Sequence, residues 1–275
     1  MPSYDYASAY STYQELLNER SDWEAEWRQI SQFLLPGRGI FTGLTRPSKR
    51  KLTTPKVINT IAEDALYVLT SGMHGGLTSP SRPWFDLEWD NPQIQAIEFM
   101  KSWLQKSTKL LHDGLHASNF YSVINSFYIE YGGFGTGSVY VGHDTYDDDV
   151  PFRFELLTAG EYAFSIGADG RVNQYFRIIF LTERQFVERF PDAASKEAKS
   201  RVNNNDGNVD GTYVTIMECV KKEPYQDFPF TRRYYAVQTT GSQGSASETD
   251  GPIETAGFYE FPYPTARWGT IGSDI

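Results

Sequence analysis

Two histidines four residues apart, His112 and His116, are the pair whose spacing best suits chemistry, because positions i and i+4 share one helical face and can turn two imidazoles toward one metal ion. The zincin pattern places a glutamate directly after the first histidine, whereas Asp113 and Gly114 follow here, and no nearby cysteine or carboxylate supplies a third ligand. Two polar residues near a helix end, where imidazole suits the dipole, account for the pair better. The run Asp206-Gly207-Asn208-Val209-Asp210-Gly211 begins like a calcium loop, but its twelfth position is Met217 and Glu218 misses by one. Gly132, Gly133, Gly135 and Gly137 suggest a phosphate loop in the wrong order: they leave a helix and enter a strand, and no Gly-Lys-Ser/Thr accompanies them. Close backbone packing at a helix–strand junction explains them. Asp147, Asp148 and Asp149 read as a solvated turn, and no serine stands in G-x-S-x-G. No residue is assigned a catalytic, metal or cofactor role.

Other residues suit contact rather than catalysis. Arg46, Lys49, Arg50 and Lys51 put four positive charges into six residues, a candidate contact for phosphate or an acidic partner, with no aromatic interleaving to read bases. Trp84, Phe85 and Trp89 follow a proline-rich loop and are the candidate subunit interface. Tyr259, Phe261, Tyr263 and Trp268 crowd the C-terminal end. Interfaces favour such side chains, and a carbohydrate platform is the weaker account because they are not confined to strand faces.

The elements that must position these residues follow from periodicity. Leu16, Trp23, Trp27, Ile30 and Leu34 make one helical stripe that Pro36-Gly37 ends. A second helix carries Val57, Ile61, Ala65 and Val68 on one face, with Pro55 ahead of it; Gly72 to Pro83 reads as a shaped loop. A third helix starts at Pro92, with Ile97, Met100, Leu104, Leu111 and Leu115 as its apolar side. A fourth runs from Phe120, with Asn119 as cap and Gly132-Gly133 as its end. The period then falls to two. Strands are expected at 138–142, 151–157, 162–166, 171–180, and near 212–221, 229–238 and 255–262, with an Asp-Gly hairpin at Asp169-Gly170. Thr182 caps a short helix, 196–211 is a polar connection, and 241–251 is linker-like. The fold class is α+β: N-terminal helices over 1–133, then an antiparallel β-rich region over 134–275.

The chain has 275 residues, of which 42 are Trp, Tyr or Phe, so it can bury a sizeable core. Its net charge of −10 excludes tight binding through clustered phosphate neutralisation, although residues 1–60 alone carry +2. With one cysteine, Cys219, the fold calls on no internal disulfide. The opening residues lack a basic and then apolar signal, and no stretch has the length of a membrane span, so no membrane partner is expected.

The order of several phrases resembles the portal, or head-to-tail connector, proteins of short-tailed bacteriophages. LLNERSDWEAEWRQISQFLLPGRG is similar to the family's first helix, and SGMHGGLTSPSRPWFDLEW to a helix entering a Ser-Pro turn and a Trp-Phe strand start. NFYSVINSFYIEYGGFGTGSVYV resembles its helix–glycine–strand unit. FELLTAGEYAFSIGADGRVNQYFRIIFLTERQFVERF resembles its hairpin and short helix, and FPYPTARW its last wing strand. The resemblance implies a virion protein: a ring of twelve copies at a capsid vertex, passing double-stranded DNA and meeting capsid protein, terminase and tail adaptors. It implies no catalysis and no cofactor. The chain then corresponds to the wing region, and the family's stem, clip and C-terminal regions lie beyond it. Another tail or adaptor component is the alternative, followed by a metal-dependent hydrolase using His112 and His116.

Overall fold

The structure is a computed structural model that describes residues 5–41, 56–95, 97–143, 150–204, 209–223, 227–237 and 251–268. The basic loop residues Arg46, Lys49, Arg50 and Lys51, the Asp147–Asp149 run, Asp206–Asn208 and nearly all of 241–251 lie outside the described residues.

The chain opens with helix α1 (Tyr6–Phe33), whose Asp5 side chain accepts from the Ser8 amide as an N-cap. After α2 (Ile61–Leu77), the short α3 (Pro92–Gln95), α4 (Glu98–Ala117) and α5 (Phe120–Phe134), the chain turns to strands. Strands β1 (Thr136–Gly142) and β2 (Arg153–Leu157) are followed by β3 (Tyr162–Ile166) and β4 (Val172–Thr182). Helices α6 (Glu183–Arg189) and α7 (Lys196–Asn203) lead into β5 (Tyr213–Lys221), β6 (Phe230–Val237), β7 (Glu254–Phe258) and β8 (Thr265–Arg267). Two antiparallel sheets result, one ordered β2-β1-β8 and one ordered β3-β4-β5-β6-β7. The α+β expectation is met.

Alternation along β4 and β5 decides what each face of the larger sheet meets. Phe176, Ile178, Met217 and Cys219 point one way and pack under Ala9, Tyr13 and Leu16 of α1. Tyr175 and Val220 point the other way, against Leu157, Tyr162 and Tyr263, and join the smaller sheet. Further along that face Ile216 and Val214 receive Phe186 and Phe190 of α6 and the following turn. The far end of α1 packs in a separate cluster, where Trp27, Ile30 and Leu34 surround Leu35, Leu66, Ile129, Phe134 and Ala159. One helix therefore contacts both the sheet core and the helical core.

Local signals explain much of this. Thr182 accepts from the Gln185 amide and Gln185 returns the bond, a complete capping box for α6. Gly132, Gly133 and Gly137 serve packing as expected, whereas Gly135 ends α5 with a positive φ. A Cβ on Gly133 would stand 2.3 Å from Leu35, and one on Gly137 2.8 Å from Phe127, so α5 lies closer to its neighbours than any side chain would permit.

Several expectations are corrected. Helix α2 begins at Ile61, with Val57 outside it, and continues through Gly72, Gly75 and Gly76 to Leu77 where a loop was expected. Packing overrides the glycines' low propensity: Leu66 sits against Gly132, and Arg82 binds the Gly75 and Gly76 carbonyls at the helix end. The third helix is two, because Ile97 takes extended backbone between α3 and α4. Helix α5 runs past Gly132-Gly133 to Phe134 and ends at Gly135 with φ 74°. Asn119 does not cap it through its side chain; the amide instead pairs both ways with the Phe154 backbone, at 2.7 and 3.0 Å. The polar 196–211 connection contains α7, and the Trp-Phe segment is extended but unpaired. In α1, Trp23 faces solvent and Arg20 takes the buried place, donating to the Tyr162 carbonyl at 2.6 Å.

Two glycines with positive φ separate strain from crowding. A Cβ at Gly160 (φ 88°) would meet the Ile40 carbonyl oxygen at 2.2 Å, whereas Gly135 (φ 74°) has nothing within 4 Å among the described residues. Gly135→Ala is expected to cost about 1 kcal/mol, the left-handed penalty alone. Gly160→Ala is expected to cost about 3 kcal/mol or more, because backbone must also move. Urea midpoints of the two variants check the ranking.

Candidate subunit interface

The aromatic trio is the first place to look. Trp84 stacks on Phe120 with ring centroids 5.9 Å apart, and Phe85 stacks on His112 at 4.1 Å. The segment is also pinned by polar bonds: His112 Nε2 lies 3.1 Å from the Phe85 carbonyl, and Thr108 Oγ1 accepts from the Leu87 amide at 3.1 Å. Trp84 and Phe85 thus hold their extended segment on α4 and α5, while Trp89 is 43% exposed. The histidines are absorbed into the same packing. His112 meets Phe85, and His116 lies against Tyr121 at 4.7 Å.

Two helices present apolar side chains outward. On α2, Ile61 and Val68 are 72% and 74% exposed, and Ala65 lies between them on the same face. This is the apolar face that the sequence pattern picked out, and it is turned outward. The buried positions are Leu66 and Thr70, turned to the opposite side toward Gly132. On α4, Leu104 and Thr108 face inward, and Phe99, Trp103 and Leu110 form a second, exposed stripe. Sequence reasoning took the inner stripe and missed the outer one. The signal was present, since a helix with apolar residues on two sides is buried on two sides. A third apolar surface is an open groove of about 330 Å³ between α5 and the smaller sheet, walled by Phe120, Ile124, Phe127, Val139 and Val141.

Behind these surfaces, a charged frame fixes one sheet on the other. Arg177 on β4 and Glu218 on β5 are register partners, both buried, and their Nε and Oε2 atoms are 2.5 Å apart. The Tyr263 hydroxyl donates to Glu218 Oε1 at 2.6 Å, and Arg177 reaches across to Glu155 on β2 at 3.1 Å. Tyr175 donates to Ser138 on β1 at 2.9 Å, and Thr265 donates to the same oxygen at 3.1 Å. Desolvation pushes the Glu218 carboxyl up, but Arg177, Arg232 and the Tyr263 bond more than offset it and hold it below 4.5. Its placement in a strand also removes it from any calcium loop, and Asp210 of that motif pairs with Arg184 at 3.0 Å. A second buried carboxylate, Glu130 on α5, takes Arg38 at 3.0 Å and the Thr158 hydroxyl at 2.9 Å. The Glu161 carboxylate in the β2–β3 turn accepts from the Thr158 amide at 3.2 Å, its one hydrogen bond among the described residues. Burial pushes it up to about 6, with Arg177 compensating only in part. Among the described residues no group of three or more His, Cys, Asp or Glu is placed to hold a metal ion.

Among the described residues, α2 and α4 present apolar side chains outward. The sequence pattern of the family described as bacteriophage head to tail connecting protein matches residues 7–275, and the chain belongs to that family. It is 32% identical over 268 residues to a probable portal protein of Bordetella phage BPP-1, covering 96% of this chain and 47% of that protein. It is also 29% identical over 275 residues to the portal protein of Salmonella phage epsilon15, covering 95% of this chain and 46% of that one. The chain spans about half the length of the curated relatives it matches.

Glu161 supplies a pH test of the inner frame. Its folded-state value, about 6, is raised above the ordinary 4.5, so its favourable contribution is complete below pH 4.5 and is lost as pH rises through 6. Glu161→Gln keeps an acceptor for the Thr158 amide. The variant is expected to match the parent at pH 4 and to exceed it by about 2 kcal/mol at pH 8. Equal destabilisation at both pH values, measured by urea unfolding, overturns this.

Proposed function

We propose that this chain is the wing region of a portal: a structural, non-catalytic ring component at a capsid vertex, through which double-stranded DNA is packaged and released. The observation that carries the reading is the family match over residues 7–275, joined to two relatives both named portal proteins. In this reading residues 1–133 are the helical part of the wing and 134–275 its β-rich part. The ring has about twelve copies, in keeping with closed cyclic assembly. Its partners are the capsid protein, terminase and tail adaptors.

Physical chemistry supports the conduit. Each copy carries a net charge of −10, so a ring of copies repels phosphate and lets DNA slide rather than stick. The +2 of residues 1–60 gives the exception: Arg46, Lys49, Arg50 and Lys51 are the proposed contact with phosphate or an acidic partner. Of the aromatic trio, Trp84 and Phe85 act from within, holding α4 in place, and Trp89 is the member offered to a neighbouring copy.

The purified chain is expected to give a multi-subunit mass by light scattering at micromolar concentration and rings with a central hole in negative stain. A strict monomer at high concentration overturns ring assembly for this chain.

A further inference from the structure

Helices α2 and α4 carry their outward apolar residues in the same rhythm. On α2 the positions are Ile61, Ala65, Val68 and Gly72; on α4 they are Phe99, Trp103, Lys106 and Leu110. Each set steps by four, three and four residues, so each is one straight ridge on its helix. All eight residues are exposed. Side-chain size differs systematically between the two. The α2 ridge is low, running from isoleucine down to a glycine whose Cβ position has nothing within 4 Å among the described residues. The α4 ridge is high, with phenylalanine, tryptophan and leucine.

We infer that these two faces bind each other between adjacent copies, α2 of one subunit against α4 of the next, in antiparallel sense. The inference rests on the ring reading above and names the surfaces that would close it. Laid antiparallel, the matched steps place Ile61 opposite Leu110, Ala65 opposite Lys106, Val68 opposite Trp103 and Gly72 opposite Phe99. The smallest residue faces a phenylalanine ring and the largest ring faces a valine, so bulk on one helix is met by space on the other.

Charge selects the same partner. The only charged side chains on α2 are Glu63 and Asp64, and the only one within the α4 ridge is Lys106. Antiparallel packing sets Lys106 beside Ala65, next to the exposed Asp64. Parallel packing puts Lys106 opposite Val68, the i+4 neighbour of Asp64 on the same face, so the charges favour this partner in either sense. The contact uses two different surfaces of one chain, so it is heterologous. Repetition therefore extends or closes a ring and does not stop at a pair.

Cysteine pairing on the full chain tests this. Cys219 is the sole native cysteine and is buried, and burial pushes its thiol up to about 12, so it stays silent under mild oxidation. The double variant Val68→Cys/Trp103→Cys is expected to give a ladder of covalent oligomers beyond the dimer on denaturing gels. Either single variant is expected to give none. Dimers from a single variant show like faces meeting and overturn the inference. Rings in negative stain without any ladder overturn the face assignment and leave the ring reading intact, whereas a monomer by light scattering overturns both. Asp64→Lys and Lys106→Asp should each lower the assembled fraction about tenfold at fixed concentration, with recovery when combined. Failure of the combined variant to recover, with both singles folded by circular dichroism, overturns the α2–α4 pairing.

Discussion

A carboxylate with no access to water organises this fold. Glu218 is fully buried in the middle of the larger sheet, and an unpaired charge in that position would cost several kcal/mol. Arg177 answers it from the neighbouring strand, Tyr263 from the C-terminal segment, and Arg177 then extends to Glu155 on the other sheet. Each partner belongs to a different element, so satisfying one ion fixes the relation of β2, β4, β5 and the approach to β8. Apolar packing alone tolerates sliding between sheets. A hydrogen-bonded buried ion does not, because a displacement of an ångström or two leaves charge unpaired.

The outer surfaces gain their meaning from that rigidity. The proposed ring requires the two contact faces of each copy to be held at a fixed angle, since a small angular error repeated around a ring prevents closure. Helix α5 is the intermediary. It packs on α2 through Gly132 and Gly133, on β1 through Gly137, and on the β2–β3 turn through Glu130. The glycines bring backbones close enough that α2 cannot rock independently. The frame inside and the faces outside are thus two parts of one requirement.

Elements whose faces differ sharply in polarity were legible in the sequence. The α6 cap at Thr182, the Asp169-Gly170 hairpin and the strand at 162–166 follow from local rules and stand where those rules put them. The direction of α2 was not legible, because periodicity identifies an apolar face without saying which body covers it. An isolated chain read as if its core were entirely internal turns Ile61 and Val68 inward, when the packing of Leu66 against glycine turns them out. The buried frame was equally hidden. Arg177, Glu218 and Tyr263 are far apart in sequence, and no local pattern announces that a glutamate in an apolar strand has an arginine directly across from it. Among the candidate contacts, the aromatic trio was visible by composition; its division into inner braces and an outer tryptophan required coordinates.

The pairing of β1 with β8 carries a consequence for how the molecule comes into being. Thr136 bonds to Ala266 across 130 residues of intervening chain, and Ser138 waits for Thr265 in the same way. During synthesis the helices and the β1–β2 hairpin leave the ribosome with one edge of the smaller sheet open, and Tyr263 meets its acceptor, Glu218 on β5, only after β7 has emerged. Contacts of such long range close late. On the proposed ring reading, β8 docks before the two outward faces take their fixed angle, so docking precedes assembly.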